Sequence, residues 1–402
     1  LSGLAAVIVL SWFIVHAGAD RPWVFAAHYQ RHFPDLTARI AQVAKLRGGG
    51  NPYLPFGIEA FTYPPAAIFL FWPLSLFSVA EGCLLWTWLS IMCLAATYAV
   101  VLESLGWRGR LLTMGTGLWA SVATAMVFPP MIECLEWGQT STILLLLVTI
   151  DFLLMRGRMK GALTGIAAAI KLYPSVFIGF WFLARKWSTA VVGTASFLAL
   201  SVASWILWPS AAHTFVFHRL LGGDETSHFD SGEGLSQSAS VGSFIRRMTF
   251  IPGKVSISLI LILSILVLVA GMTAAVQLDR LGWEVSALVV LLLASVLPSP
   301  VAWDHYFTFA PLLLFVAIEV GYRSLLGRAS LISLALFIVP WSFFRLPPPG
   351  NTPNSTVEKV TSSVLELVAR NAYFAASLVV IIAAWLQITS TRRVANSIPA
   401  HT

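Results

Sequence analysis

The chain runs as long apolar blocks separated by short polar or basic turns. Residues 256–278, 287–297 and 372–386 are almost free of charge, and several other blocks are nearly as apolar. A helix needs roughly 20 predominantly apolar residues to cross a bilayer core, and several blocks reach or approach that length. The pattern predicts crossings at 1–17, 111–128, 141–155, 161–171, 174–184, 187–208, 256–278, 287–297, 306–320, 325–343 and 372–389. Residues 64–101 hold two apolar segments where parity asks for one net crossing, so a re-entrant 64–78 is one solution. The expected fold class is all-α: a polytopic transmembrane helical protein with about a dozen crossings. No internal repeat stands out, and residues 1–402 are taken as a single membrane domain.

Composition agrees with this pattern. Of 402 residues 57% are hydrophobic and only 11% charged, and mean hydropathy is +0.81. A soluble domain would carry about 25% charged residues. The 16 Trp and 26 Phe suit the aromatic belts at lipid headgroups. Residues 1–17 resemble a signal peptide in length, but no small-residue cleavage site precedes Asp20, and a first membrane helix is expected there.

Basic residues cluster in short turns, at Arg108 with Arg110, Arg156 with Arg158 and Lys160, Arg185 with Lys186, Arg280, Arg323 with Arg328, and Arg392 with Arg393. The positive-inside rule, applied to short loops, puts these turns in the cytoplasm. The outward segments are then 20–63, 129–140, 209–255, 298–305 and 345–370. Within the first, Leu36, Ile40, Val43 and Leu46 share a helical face, with Arg39, Lys45 and Arg47 between them. A short interfacial helix ending at Gly48-Gly49-Gly50 is expected.

The net charge of +7 is scattered and forms no basic stripe, so nucleic acid is not an expected partner. Cys83, Cys93 and Cys134 have neither disulfide-framework nor metal spacing, and Cys83 and Cys93 read as small packing residues. There is no Walker-type glycine loop, no paired-carboxylate spacing and no nucleophile elbow, which excludes the usual ATPase and nucleotide-sugar signatures.

Charges near the bilayer are costly and therefore mark candidate sites. Lys171 lies in an apolar stretch just before Pro174, where a broken helix would line a cavity; it reads as a cation for a lipid phosphate or as a snorkelling lysine. Asp35 reads as an N-cap or as a surface carboxylate able to take a proton from a hydroxyl. His305, beside Asp304, reads as a general base or as a headgroup-bonded interfacial residue. Gln139 would bind a sugar or cap the following helix, and Arg246 with Arg247 would grip phosphate. The acids and His of the long loop (Asp224, Glu225, His228, Asp230, Glu233) read as solvated rather than metal-binding. No metal and no cofactor is expected.

An ordered set of short motifs adds to this reading: Asp35-Leu36, Asn51-Pro52-Tyr53, Tyr63-Pro64-Pro65, Gly138-Gln139, Gly161 through Lys171-Leu172-Tyr173-Pro174, Gln237-Ser238 with Arg246, and Ser299-Pro300 with Trp303-Asp304-His305. In this order, across most of the chain, they resemble the polyprenyl-phosphate-mannose-dependent α-mannosyltransferases of glycosyltransferase family 87, of the GT-C type. The resemblance implies an inverting transfer of mannose, on the extracytoplasmic face of the cell membrane, from a polyprenyl-phosphate donor to a glycolipid or glycan hydroxyl. It implies His305 and Asp35 as catalytic residues, with His305 the base and Asp35 orienting the acceptor, or the roles exchanged. Lys171, Arg246 and Arg247 would hold the donor phosphate, and Gln139, Gln237 and Asp304 the sugar or acceptor. Two departures touch sugar and acceptor: Tyr306 follows His305 where the family often has a second His, and Ser236 stands where Asn is common. An arabinofuranose donor and a lipid or solute transporter are the competing readings; a transporter predicts internal repeats.

Overall fold

The computed structural model describes residues 33–54, 61–107, 110–221, 238–247, 253–339, 341 and 356–397. The expected first membrane helix at 1–17, Gln237 and the loop acids from Asp224 to Glu233 lie outside the described residues. Among the described residues the secondary structure is helical, with one isolated antiparallel bridge between Ser238 and Trp303. The chain divides into two compact units, Leu1–His228 and Phe229–Thr402.

In the first unit the helices are α1 (Pro34–Lys45), α2 (Val79–Ser104), α3 (Arg110–Val127), α4 (Pro129–Trp137), α5 (Ser141–Thr149), α6 (Ala162–Ile170), α7 (Ser175–Leu183), α8 (Trp187–Leu207) and α9 (Pro209–Thr214). Helices α5 and α9 continue as π turns, Ile150–Leu154 and Phe215–Leu220. The segment between residues 64 and 78 is a series of short helical turns before α2, not a second long helix. Helix α1 forms where the short helix is expected, and its apolar stripe packs on protein. Leu36, Ile40 and Val43 are buried against protein, with α2 and α4 among their neighbours. Arg39 is buried with them, because positions 36, 39, 40 and 43 share one helical face.

The second unit comprises α10 (Val241–Arg247), α11 (Gly253–Arg280), α12 (Glu284–Val296), α13 (Leu313–Val320), α14 (Leu325–Ile338) and α15 (Thr356–Ser397). Helix α12 is buried on every face from Val285 to Val296, as its all-round apolar sequence requires. Its N-terminus has no side-chain cap of its own. Glu319 of α13 supplies one, accepting from the Val285 and Ser286 N–H groups at 3.0 and 2.7 Å.

Among the described residues, four helical stretches of 21 to 26 residues are long and apolar enough to cross a membrane: Val79–Ser104, Trp187–Leu207, Val255–Arg280 and Val368–Arg392. A fifth is formed if Gly115–Val127 and Pro129–Trp137, bent by 85°, count as one broken span. Helix α11 exposes Ile257, Leu261, Ile262, Ile265, Leu266 and Val269, an apolar face suited to lipid. The other apolar helices are shorter than an ideal span, and most begin and end within a few residues of the sequence expectation.

Candidate functional site

The first unit gathers three sequence-predicted positions, Asp35, Gln139 and Lys171, from distant parts of the chain. Asp35 sits in the first turn of α1 but does not cap it; Phe33 holds the N-cap position, without a side-chain bond. The carboxylate instead accepts a hydrogen bond from Gln139 Nε2 at 2.5 Å. Gln139 in turn does not cap α5. Its Oε1 accepts from the Tyr63 hydroxyl at 3.0 Å, and the Tyr53 hydroxyl donates to the Tyr63 carbonyl at 2.7 Å. This relay orients the amide: with the phenol donating to its oxygen, the nitrogen must face Asp35. Burial holds the Tyr63 phenol up at about 12, so it remains a donor at neutral pH.

The close approach of α1 and α4 depends on Gly138. It ends α4 in the left-handed region, with φ of 65°, where glycine is favoured. A Cβ at this position would collide with Cβ of Leu36. Two local requirements therefore coincide at one residue, and both serve to bring Gln139 to Asp35.

Lys171 follows the last residue of α6. Its N–H still bonds to the Ala167 carbonyl at 3.0 Å, but its own backbone is extended, and the chain turns through Pro174 into α7. The half-buried side chain places Nζ 5.4 Å from the Tyr63 ring centroid and 5.9 Å from that of Tyr173. Arg39 lies 5.7 Å from the Tyr63 centroid, and Arg219 lies 5.4 Å from that of Tyr53. Cations over tyrosine faces gain from the ring quadrupole. Arg39, Arg219, Tyr53 and Tyr63 are thus part of this cluster although sequence reasoning did not single them out as site residues. For Arg39 a signal existed, because it falls on the apolar stripe of α1.

The second unit holds the remaining described positions. The segment from Ser238 to Val241 clasps the loop between α12 and α13. Ala239 N–H bonds to the Ala302 carbonyl at 2.8 Å, Val241 N–H to Leu297 at 2.9 Å, and Ala302 N–H to Ser238 Oγ at 3.0 Å. Arg247 fastens the clasp by donating to the Ser238 carbonyl at 2.9 Å, whereas Arg246 is exposed. The clasp presents a single helical turn, Asp304–Phe307, with Asp304 and His305 both buried. The His305 ring lies nearly parallel to Trp303 (centroids 6.5 Å, 15°) and meets Tyr306 edge-on at 5.0 Å. Such packing fixes the imidazole plane, as a group exchanging protons at a defined atom requires.

A family model matches residues 61–300, from Phe61 through the Ser299-Pro300 pair, under the description glycosyltransferase family 87. The chain belongs to glycosyltransferase family 87. The match covers more than half of the family-87 chain and includes Tyr63, Gln139, Lys171, Arg246 and Arg247. It is similar to a polyprenol-phosphate-mannose-dependent α-(1-2)-phosphatidylinositol pentamannoside mannosyltransferase of Mycolicibacterium smegmatis, at 29% identity over 82% of this chain and 80% of that protein. It is also similar to a polyprenol-phosphate-mannose-dependent α-(1-2)-phosphatidylinositol mannoside mannosyltransferase of Mycobacterium tuberculosis, at 27% identity over 75% of this chain and 73% of that protein. No solved structure matches this chain. As a member of family 87 the protein is a glycosyltransferase, and its long apolar helices fit a membrane enzyme.

Proposed function

We propose that this family-87 enzyme transfers mannose from a polyprenyl-phosphate donor to a hydroxyl of a glycolipid acceptor, with inversion, on the extracytoplasmic face of the membrane. The carrying observation is the constellation in the first unit: a carboxylate held by an oriented amide, with a lysine beside it at a helix break. The donor choice follows the activity in the names of the relatives, which are polyprenol-phosphate-mannose-dependent, and the acceptor class follows their phosphatidylinositol mannoside acceptors. The expected count of about a dozen crossings goes with this reading and counts the shorter apolar helices as crossings.

In the reaction, the acceptor oxygen attacks C1 of mannose while the C1–oxygen bond to the phosphate breaks. The bonding pair leaves on the polyprenyl phosphate, and the hydroxyl proton passes to a general base, the role we assign to His305 or, with the roles exchanged, to Asp35. Asp35, with Oδ2 held by Gln139, offers Oδ1 to orient the acceptor hydroxyl. In the first unit Lys171 is the candidate to stabilise the charge that develops on the departing phosphate, as preorganised cations do most effectively away from bulk water; Arg246 and Arg247 are the second unit's candidates for the same role. Gln237 and Asp304 contact the sugar or acceptor.

The test is transfer of radiolabelled mannose from polyprenyl-phosphate mannose to glycolipid in membranes, comparing wild type with Asp35→Asn and His305→Ala. Asn keeps an oxygen for the Gln139 amide, so the cluster persists while the negative charge is lost. General acid–base catalysis contributes about 10²- to 10⁴-fold, and His305→Ala should lose turnover on that scale. Near-normal transfer in either variant removes that residue from the chemistry. Label passing from polyprenyl-phosphate arabinofuranose instead of mannose would replace the proposed donor.

A further inference from the structure

Helix α6, which ends at Lys171, is anchored at its other end by a residue that the reaction does not touch. Asp151 lies in the π turn after α5 and is fully buried. Its Oδ1 accepts from the Gly161 N–H at 2.7 Å and its Oδ2 from the Thr164 N–H at 2.8 Å. These are the donors at the N-cap and third positions of α6, the pair that a capping box satisfies from within a helix. Gly161 has no side chain to do this, and the cap comes from a different element.

The same end of α6 is pressed onto α8. Gly161 has φ of 106°, and a Cβ there would collide with the Thr189 carbonyl. A Cβ on Gly165 would collide with the Gly193 carbonyl and crowd Ser196. The Gly161-x-x-x-Gly165 spacing therefore gives a backbone-to-backbone contact of the kind that fixes membrane helices against each other. Towards the other end α6 buries Ala167, Ala168, Ala169 and Ile170, apolar surfaces that make no hydrogen bond to fix its axial position.

Nine residues of helix span about 13 Å, and over that distance α6 behaves as a rigid strut. Its axial position is set at Asp151 and read out at Lys171. The Lys171 ammonium stands 5.4 Å from the Tyr63 centroid. A slide of about 1 Å would carry it past the ~6 Å limit of a cation–π contact. Displacements of this size are enough to cost an enzyme about 10²-fold in rate.

We propose that Asp151 is a positioning residue for Lys171, acting through α6 to set the place of the ammonium that receives the donor phosphate. This rests on the reading of Lys171 as the donor-phosphate cation. It assigns Asp151 a part in donor use beyond its part in the fold.

The experiment is a donor titration with polyprenyl-phosphate mannose in membranes, on wild type, Asp151→Asn, Lys171→Met and the double variant. Asn retains one acceptor but turns its amide nitrogen toward the second N–H, so the tether loosens. The donor KM of Asp151→Asn should rise severalfold while kcat per folded molecule falls less. The double variant should be no worse in donor KM than Lys171→Met alone, since residues acting through one group are not additive. Independent, multiplying effects would overturn the proposal, as would a lower Vmax at unchanged donor KM, which marks a purely structural role. Lys171→Met at the wild-type donor KM overturns the phosphate reading and this proposal together. A raised KM for Lys171→Met beside a wild-type KM for Asp151→Asn overturns this proposal alone. Should Asp151→Asn fail to accumulate, Asp151→Glu keeps both acceptors and shifts the strut by one methylene. An altered donor KM in that variant supports the positioning role, and an unaltered one ends it.

Discussion

Tyr63→Phe isolates the link that runs from the Tyr63 phenol through Gln139 to the Asp35 carboxylate. The substitution removes one oxygen and keeps the ring. The edge-on contact with Phe71 at 5.6 Å and the faces presented to Lys171 and Arg39 are therefore retained. What is lost is the O–H donated to Gln139 Oε1 at 3.0 Å, at a residue only 4% exposed. A buried carbonyl left without its donor costs about 1–3 kcal/mol. Gln139 can avoid that cost by rotating, but then its nitrogen leaves Asp35. If the whole penalty appears in the transition state, turnover falls roughly 5- to 150-fold. The assay is labelled mannose transfer at saturating donor, with thermal unfolding of the purified protein measured in parallel. Because burial keeps the phenol near 12, the loss should be the same at every pH around neutrality. Tyr63→Phe combined with Gln139→Ala should be no slower than Gln139→Ala alone, since both act on one carboxylate. A Tyr63→Phe enzyme within twofold of wild type would refute the idea that Asp35 is oriented by this relay.

Other expectations can be checked with the same transfer assay. Lys171→Met removes a charge-assisted contact worth about 1.5–3 kcal/mol, so the donor KM should rise roughly ten- to hundredfold; an unchanged donor KM and kcat would strip Lys171 of its phosphate role. Gly138→Ala puts a Cβ against Leu36 at a left-handed position that alone costs about 1–2 kcal/mol, so both the melting temperature and transfer should drop. Wild-type stability in that variant would mean that α1 and α4 can separate without penalty. Glu319→Gln leaves only one oxygen for the donors at the start of α12, and should lower stability by about 1–2 kcal/mol with the donor KM unchanged; a shifted donor KM would contradict its reading as a helix cap.

Much of the helical framework was written in local patterns. Arg110–Val127, Trp187–Leu207 and Glu284–Val296 lie close to the expected blocks because a hydrocarbon environment selects for unbroken apolar helix, a property of consecutive residues. The stretch expected at 306–320 fared less well. It begins with two short 3₁₀ turns, and the α-helix proper covers Leu313–Val320, because Pro311 lacks the N–H that an earlier start would need. Asp35, Gln139, Lys171 and His305 were legible as candidates because a polar group at a membrane boundary is conspicuous against apolar neighbours. Their partners were not legible. Nothing near Asp35 in sequence points to Gln139, which is 104 residues away, nor does Tyr63 announce that it will orient that amide.

The sequence by itself therefore determined the solvent of this protein, the helices that solvent demands, and the residue types able to handle a phosphate and a proton. The tertiary structure decided which of those residues act on one another. It decided between the two readings of Asp35 by bonding the carboxylate to Gln139 in place of capping α1, set Arg39 over Tyr63, and tied Ser238 to Trp303 across the second unit. Hydrophobic length is summed along the chain, whereas a hydrogen bond acts only within about 3 Å and must wait for packing to bring its two ends together.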